Sequence, residues 1–160
     1  MSRIKELLND DTSVLVFDID GVLAVMEFGN NNHFIDEDEW NRLVGENNNF
    51  YTEDLVSKKM KDFLENKDKS RIYVITKVND NNELIHKQEF ASTYYGILKD
   101  NVYGVAKDSD KLEEIIKIKN RYNELDDSKI IMIDDTVEIL NDIMENTKFS
   151  TAHISSFLDI

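Results

Sequence analysis

The amino-acid sequence predicts a three-layer α/β fold, in which helices cover both faces of a parallel β-sheet. The first observation is that three short apolar runs, over 14–17, 71–75 and 129–133, are each typical of a strand buried on both faces. The second is that such strands alternate with helical segments and that the chain contains no repeats. The third is that each run ends in polar residues, as strands do at the ligand-binding edge of an open α/β sheet.

The composition predicts one soluble domain. The chain has 160 residues, which suffice for a single core, so we take 1–160 as one domain. Hydrophobic residues make up 41% of the chain and charged residues 32%, as in ordinary globular proteins. No apolar stretch approaches the roughly 20 residues of a membrane span, and the first residues lack a signal-peptide pattern. We therefore expect a cytoplasmic protein.

Charge and cysteine content argue against several classes of function. The formal net charge of -14 argues against unspecific binding to nucleic acid or to an anionic membrane. It is compatible with a phosphorylated substrate, because a metal ion and one or two lysines set the local potential. The chain has no cysteine, so we expect no disulfide, no thiolate zinc site and no cysteine nucleophile.

The first third of the chain predicts a strand followed by a small insertion over about 25–51. The insertion contains a strong turn signal at Gly29 and Asn30. It is too short for a large domain. The predicted elements are a helix over 3–9, a strand over about 13–18, a hairpin formed by 22–28 and 33–35, and a helix opened by the capping-box pair Asp36 and Glu39.

The rest of the chain alternates regularly between helices and strands. Gly96 is predicted to close the longest helix, and Asp108 or Ser109 to cap the next one. The predicted elements are a helix over 52–66 with Thr52 as its N-cap, a strand over 71–75, a helix over 83–95, a strand over 101–105, a helix over 110–122, a strand over 129–133, a helix over 136–145 and a strand over 149–154.

Four carboxylates follow two of the predicted strands. Asp18 and Asp20 end the first strand and precede Gly21, which allows the backbone to turn, and Asp134 and Asp135 end a later one. If the strands are parallel, these side chains converge, and like charges so close need a metal ion or shared protons. Oxygen ligands without histidine or cysteine favour a hard cation, Mg²⁺ before Ca²⁺.

The same residues, with Thr76 after a strand and a downstream lysine, resemble the four motifs of the haloacid dehalogenase superfamily, in order. The resemblance spans about 14–135 and implies a Rossmann-like sheet with strand order 5-4-1-2-3. It also implies that the insertion over about 25–51 is a minimal cap made of a flap and one short helix. It also implies a phosphatase, since the superfamily's phosphatases carry Asp-x-Asp-Gly at the first motif. A finer similarity, through Lys87-Gln88-Glu89-Phe90, is to the 5'(3')-deoxyribonucleotidase branch, which implies a nucleotide as substrate.

The resemblance implies roles for individual residues. Asp18 would be the nucleophile and Asp20 the general acid/base. Mg²⁺ would be held by the Asp18 carboxylate, the Asp20 carbonyl, Asp134 and, directly or through water, Asp135.

Three further polar residues are expected to meet the phosphoryl group. Thr76 would bind a phosphoryl oxygen, with the amide of Lys77 beside it and the Lys77 side chain as a further contact to substrate. The phosphate-clamping lysine is Lys111 or Lys107, of which Lys111 fits the superfamily's spacing better.

Two kinds of alternative remain at this point. The substrate of the hydrolase is either a phosphorylated small molecule, with a nucleotide first, or a macromolecule such as a nucleic-acid end or a phosphoprotein. The rivals from other classes are a signalling receiver domain, whose acidic residues come in a different order, and a non-catalytic binding protein with the same fold. Turnover of a phosphomonoester separates these classes.

Overall fold

The structure is a computed structural model that describes residues 3–25, 37–45 and 49–158. Within these ranges, five strands form one sheet in which every neighbouring pair is parallel. Their order is β3-β2-β1-β4-β5, which reads 5-4-1-2-3 from the opposite edge. The strands are β1 (Val14–Phe17), β2 (Ile72–Lys77), β3 (Val102–Val105), β4 (Ile130–Asp134) and β5 (Ser150–His153).

Helices fill the connections between the strands, as the α/β prediction requires. They are α1 (Arg3–Asn9), α2 (Glu37–Gly45), α3 (Lys58–Leu64), α4 (Asn81–Tyr95), α5 (Lys111–Lys119) and α6 (Val137–Asn146). None of the helices in the described ranges is long and apolar enough to cross a membrane.

The core has two parts, one on each face of the sheet. Alternate side chains of a strand point to opposite faces, so that Leu15 and Phe17 pack on one face while Val14 and Val16 pack on the other. The first face is covered by α1, α3 and α4, and the second by α5 and α6. All four residues of β1 are buried, as the apolar run predicts.

The predicted helix over 52–66 is wrong in its first half. The chain forms a single 3₁₀ turn over Glu53–Leu55 and is then extended at Val56, which bridges to Ala24. The hydroxyl of Ser57, rather than Thr52, caps the helix by accepting a hydrogen bond from the amide of Met60 at 3.3 Å. Pairing with the segment after β1 therefore outweighs helix propensity here.

The longest helix, α4, and the next one, α5, also differ from the prediction at their ends. The longest helix starts two residues earlier, because Asp80 caps it by accepting from the amide of Glu83 at 2.9 Å. Gly96 ends that helix in the left-handed conformation, at φ +67°, as predicted. Neither Asp108 nor Ser109 caps α5 through its side chain; both lie in a 3₁₀ turn that leads into it, and α5 ends at Lys119 instead of 122.

Much of the predicted insertion lies outside the described residues. This applies to the turn at Gly29 and Asn30, to the hairpin strand over 33–35 and to the capping box of Asp36 with Glu39. The helix predicted after them is present as α2.

Candidate active site

The alternation of side chains along two adjacent strands brings Asp18 and Asp134 together. Val16 and Met132 belong to the core on the face covered by α5 and α6. The side chains two positions later therefore turn to the same face, at the carboxyl ends of β1 and β4. The amide of Asp18 still donates to the carbonyl of Ile133 at 2.9 Å, which continues the pairing of the two strands to this point.

Lys111, from α5, lies next to both carboxylates and offsets part of their charge. Its ammonium nitrogen lies 2.9 Å from Asp134 Oδ2 and 3.3 Å from Asp18 Oδ2, with Asp108 more distant at 3.7 Å. The side chains of Lys111 and Asp134 are 1% and 0% exposed, so this is a buried ion pair. Burial lowers the pKa of Lys111, but the two carboxylates outweigh it, and the net pKa is raised.

The surroundings of Asp18 disfavour the ionised form of its carboxyl group. Burial, with the charges of Asp134 and Asp20 adding to it and that of Lys111 opposing it, raises the pKa of Asp18 to about 7. Its Oδ1 atom is buried and has no hydrogen-bond partner. An unpartnered buried carboxylate oxygen is uncommon, because it forfeits hydration without a replacement.

Asp135 completes the acidic cluster from the more exposed side. Partial burial and the neighbouring charge of Asp134 raise its pKa. Its carboxylate lies close against Gly21, at which an added Cβ would be 2.2 Å from Asp135 Oδ2. Gly21 also has φ +77°, so both the backbone conformation and the space require glycine here.

The carboxylates of Asp18, Asp134 and Asp135 form a donor set that fits a divalent cation. One oxygen from each lies within 4.8 Å of the others. All three donors are oxygens, which is the ligand type of Mg²⁺ and Ca²⁺. The unpartnered Oδ1 of Asp18 gives this set a buried acceptor that a cation would satisfy.

Asp20 belongs to a second cluster, on the opposite face of the sheet. Thr76 lies on the side of β2 that packs against α4, and Lys87 of α4 reaches it with its ammonium nitrogen 3.1 Å from the hydroxyl oxygen. The same nitrogen lies 2.7 Å from Asp20 Oδ2 and 2.6 Å from the carbonyl oxygen of Lys77. Tyr51, which is 2% exposed, donates to Asp20 Oδ1 at 2.9 Å.

The two lysines thus approach the acidic residues from opposite layers. Lys87 is fully buried and also pairs with Glu83 at 2.9 Å, one helical turn earlier. Burial lowers the pKa of Lys87, but Asp20 and Glu83 outweigh that effect and the net pKa is raised. Burial, reinforced by the Asp20 charge, raises the pKa of Tyr51.

Most of the residues singled out in the sequence lie at this edge of the sheet. Of the two candidate lysines, Lys111 contacts the acidic cluster, whereas Lys107 is exposed. Thr76 is fully buried, and its hydroxyl accepts from an ammonium group. Lys77 is exposed and meets the second cluster through its carbonyl oxygen.

Glu83, Lys87 and Tyr51 are not among the site residues predicted from the sequence. For two of them a signal was present. Glu83 and Lys87 fall four residues apart on the face of the helix that also carries Phe90 and Ala91, and all four are buried. Charged residues at core positions of an amphipathic helix indicate buried partners. Tyr51 is the last residue of the predicted insertion, where no periodicity marks it.

No protein-family model matches the chain, and no curated protein matches it.

Proposed function

We propose that this protein is a Mg²⁺-dependent phosphomonoester hydrolase that works through an aspartyl-phosphate on Asp18. The observation that supports this most is the position of Asp18. It follows β1 at the sheet edge, is buried beside Lys111, keeps one carboxylate oxygen unpartnered, and lies in a three-carboxylate donor set. A haloacid dehalogenase-like fold is part of the proposal, supported by the strand order and by acidic residues after β1 and β4.

The first step would be attack of a carboxylate oxygen of Asp18 on the phosphorus of the substrate. A bond forms between that oxygen and phosphorus, and the bond from phosphorus to the leaving oxygen breaks. The electron pair of the broken bond stays on the leaving oxygen, which takes a proton from Asp20. The ammonium of Lys111, next to both Asp18 and Asp134, offsets the negative charge that the phosphoryl group brings.

The second step would release phosphate and regenerate the enzyme. A water molecule attacks the phosphorus of the aspartyl-phosphate and gives a proton to Asp20. The bond between phosphorus and Asp18 breaks, and its electron pair returns to the carboxylate. Asp18, Asp134 and Asp135 would hold Mg²⁺, with the Asp20 carbonyl as a fourth ligand. When bound, the ion supplies charge neutralisation for the phosphoryl oxygens.

A phosphorylated small molecule is the proposed substrate class, and a nucleoside monophosphate is the first compound to test. Release of phosphate is measured from p-nitrophenyl phosphate and from a panel of nucleoside monophosphates, with Mg²⁺ and with EDTA. We expect release that needs Mg²⁺ and falls by at least about 10³-fold in Asp18→Asn, since removal of a nucleophile leaves only residual catalysis.

The matched control is Asp100→Asn, which removes a carboxylate from an exposed position in the turn before β3. It should retain wild-type rates on every substrate. Release that survives Asp18→Asn, or no release from any substrate by a folded protein that binds Mg²⁺, would contradict the proposal.

A further inference from the structure

Lys87 is a buried cation that the proposed chemistry does not use. Its side chain is 0% exposed, and its ammonium lies within 3.1 Å of four acceptors. They are Asp20 Oδ2, the Thr76 hydroxyl oxygen, the Lys77 carbonyl oxygen and Glu83 Oε1. An ammonium has only three protons, so this nitrogen is fully committed to its surroundings.

Pairing with Glu83 alone would not account for this arrangement. Glu83 and Lys87 are neighbours on α4, and an ion pair within one helix needs no partner elsewhere. Of the other three acceptors, Asp20 follows β1 and the remaining two belong to the last residues of β2, at the candidate active site. Burying an ammonium is costly unless it is paired and hydrogen-bonded, and here most of its partners are site residues.

The contacts with Lys87 and Tyr51 fix the carboxylate of Asp20 at both oxygens. Lys87 donates to Oδ2 at 2.7 Å, and the Tyr51 hydroxyl donates to Oδ1 at 2.9 Å. Tyr51 itself packs in the core against Phe90, with the centroids of the two rings 5.8 Å apart. A carboxylate bound at both oxygens by buried groups cannot rotate freely, although 27% of the Asp20 side chain remains exposed to an incoming ligand.

We propose that Lys87 is a positioning residue for Asp20, which it holds where the carboxyl group can reach the leaving oxygen of the substrate. This inference rests on the proposed phosphatase function. Lys87 touches neither substrate nor metal in this account and acts only through Asp20. A displacement of about 1 Å in such a group can cost on the order of 10²-fold in rate.

The test uses two substrates that differ only in their leaving group. The leaving group of phenyl phosphate is poor and needs a proton, whereas the p-nitrophenolate of p-nitrophenyl phosphate departs readily without one. In Lys87→Met we expect kcat/KM to fall about 100-fold for phenyl phosphate, within the range of general acid catalysis, and less than about fivefold for p-nitrophenyl phosphate. A loss of folding or of phosphate binding would affect both substrates alike.

Two further variants complete the design. The double variant Glu83→Gln with Lys87→Gln is used if Lys87→Met fails to fold. It removes both charges of the helix ion pair, so that no Glu83 carboxylate is left without a partner. It should show the same selective loss of activity with phenyl phosphate. Lys67→Met is the matched control, because it removes another lysine whose side chain is only 13% exposed, paired with Asp11 at 3.7 Å before β1. Its two kcat/KM values should equal those of the wild type.

Each outcome supports or overturns the inference. A selective loss with phenyl phosphate supports it. An equal loss with both substrates, or no loss with either, in a folded Lys87 variant would overturn it while leaving the phosphatase proposal intact. If the wild type with Mg²⁺ releases phosphate from neither of these substrates and from no nucleoside monophosphate, both proposals fall together.

Discussion

Replacement of Asp18 by asparagine should stabilise the metal-free protein, and more so as the pH rises. The folded pKa of Asp18 is raised from 3.8 to about 7, chiefly by burial. The folded protein therefore keeps a proton that the unfolded chain has already released at intermediate pH. The contribution of this group to stability is fully present below the unfolded pKa and is lost as the pH rises through the folded pKa. The neutral amide introduced by Asp18→Asn has no such charge to bury.

The size of the effect follows from the pKa difference. A shift from 3.8 to about 7 corresponds to about 4 kcal/mol at a pH above both values. At about pH 5, which lies between the unfolded and the folded pKa of Asp18, the loss in the free energy of unfolding is about 2 kcal/mol. We expect Asp18→Asn to raise the free energy of unfolding by up to these amounts.

The assay is urea unfolding in EDTA at about pH 5 and about pH 8, with Asp100→Asn as the control at an exposed position. The stability gap between Asp18→Asn and the wild type should widen by about 2 kcal/mol between the two conditions. A gap that does not change with pH, or a variant less stable than the wild type at the higher pH, would refute the reasoning about Asp18.

Two other substitutions test the acidic cluster. Lys111→Met leaves two buried carboxylates without their shared cation and should cost about 3–5 kcal/mol in urea unfolding with EDTA; a cost below about 1 kcal/mol would show that the ion pair is not buried as described. Gly21→Ala strains a residue at φ +77° and places a methyl 2.2 Å from Asp135 Oδ2. It should cost about 1–2 kcal/mol and weaken Mg²⁺ binding measured by calorimetry. Gly45→Ala, where an added Cβ meets nothing within 4 Å, is the control; unchanged Mg²⁺ affinity in Gly21→Ala would count against the proposed metal site.

The parallel sheet was predictable because its strands are short and buried on both faces. Such strands appear in the sequence as unbroken apolar runs, and the polar residues that follow them mark the edge of the sheet at which the chain turns. The α/β prediction and the meeting of Asp18 with Asp134 both depend on this pattern and on alternation along the strand, and the structure agrees with them.

The errors arose where a long-range contact decides local structure. The helix predicted from Thr52 has ordinary local signals, but Val56 pairs with Ala24, thirty-two positions earlier, and the helix begins only after that bridge. Similarly, nothing in the sequence near Lys87 says that its ammonium meets Asp20, because that contact exists only once α4 packs on the sheet.

The central claim is that Asp18 carries the phosphoryl group, and acid quenching followed by peptide mapping tests it most directly. The protein is mixed with Mg²⁺ and a substrate that it hydrolyses, stopped in acid during turnover, digested and analysed by mass spectrometry. We predict a phosphoryl group on the peptide that contains Asp18, labile to hydroxylamine as an acyl phosphate should be, and absent in EDTA and in Asp18→Asn. Hydrolysis with no phosphorylated peptide, or with the phosphoryl group on another residue, would contradict the account.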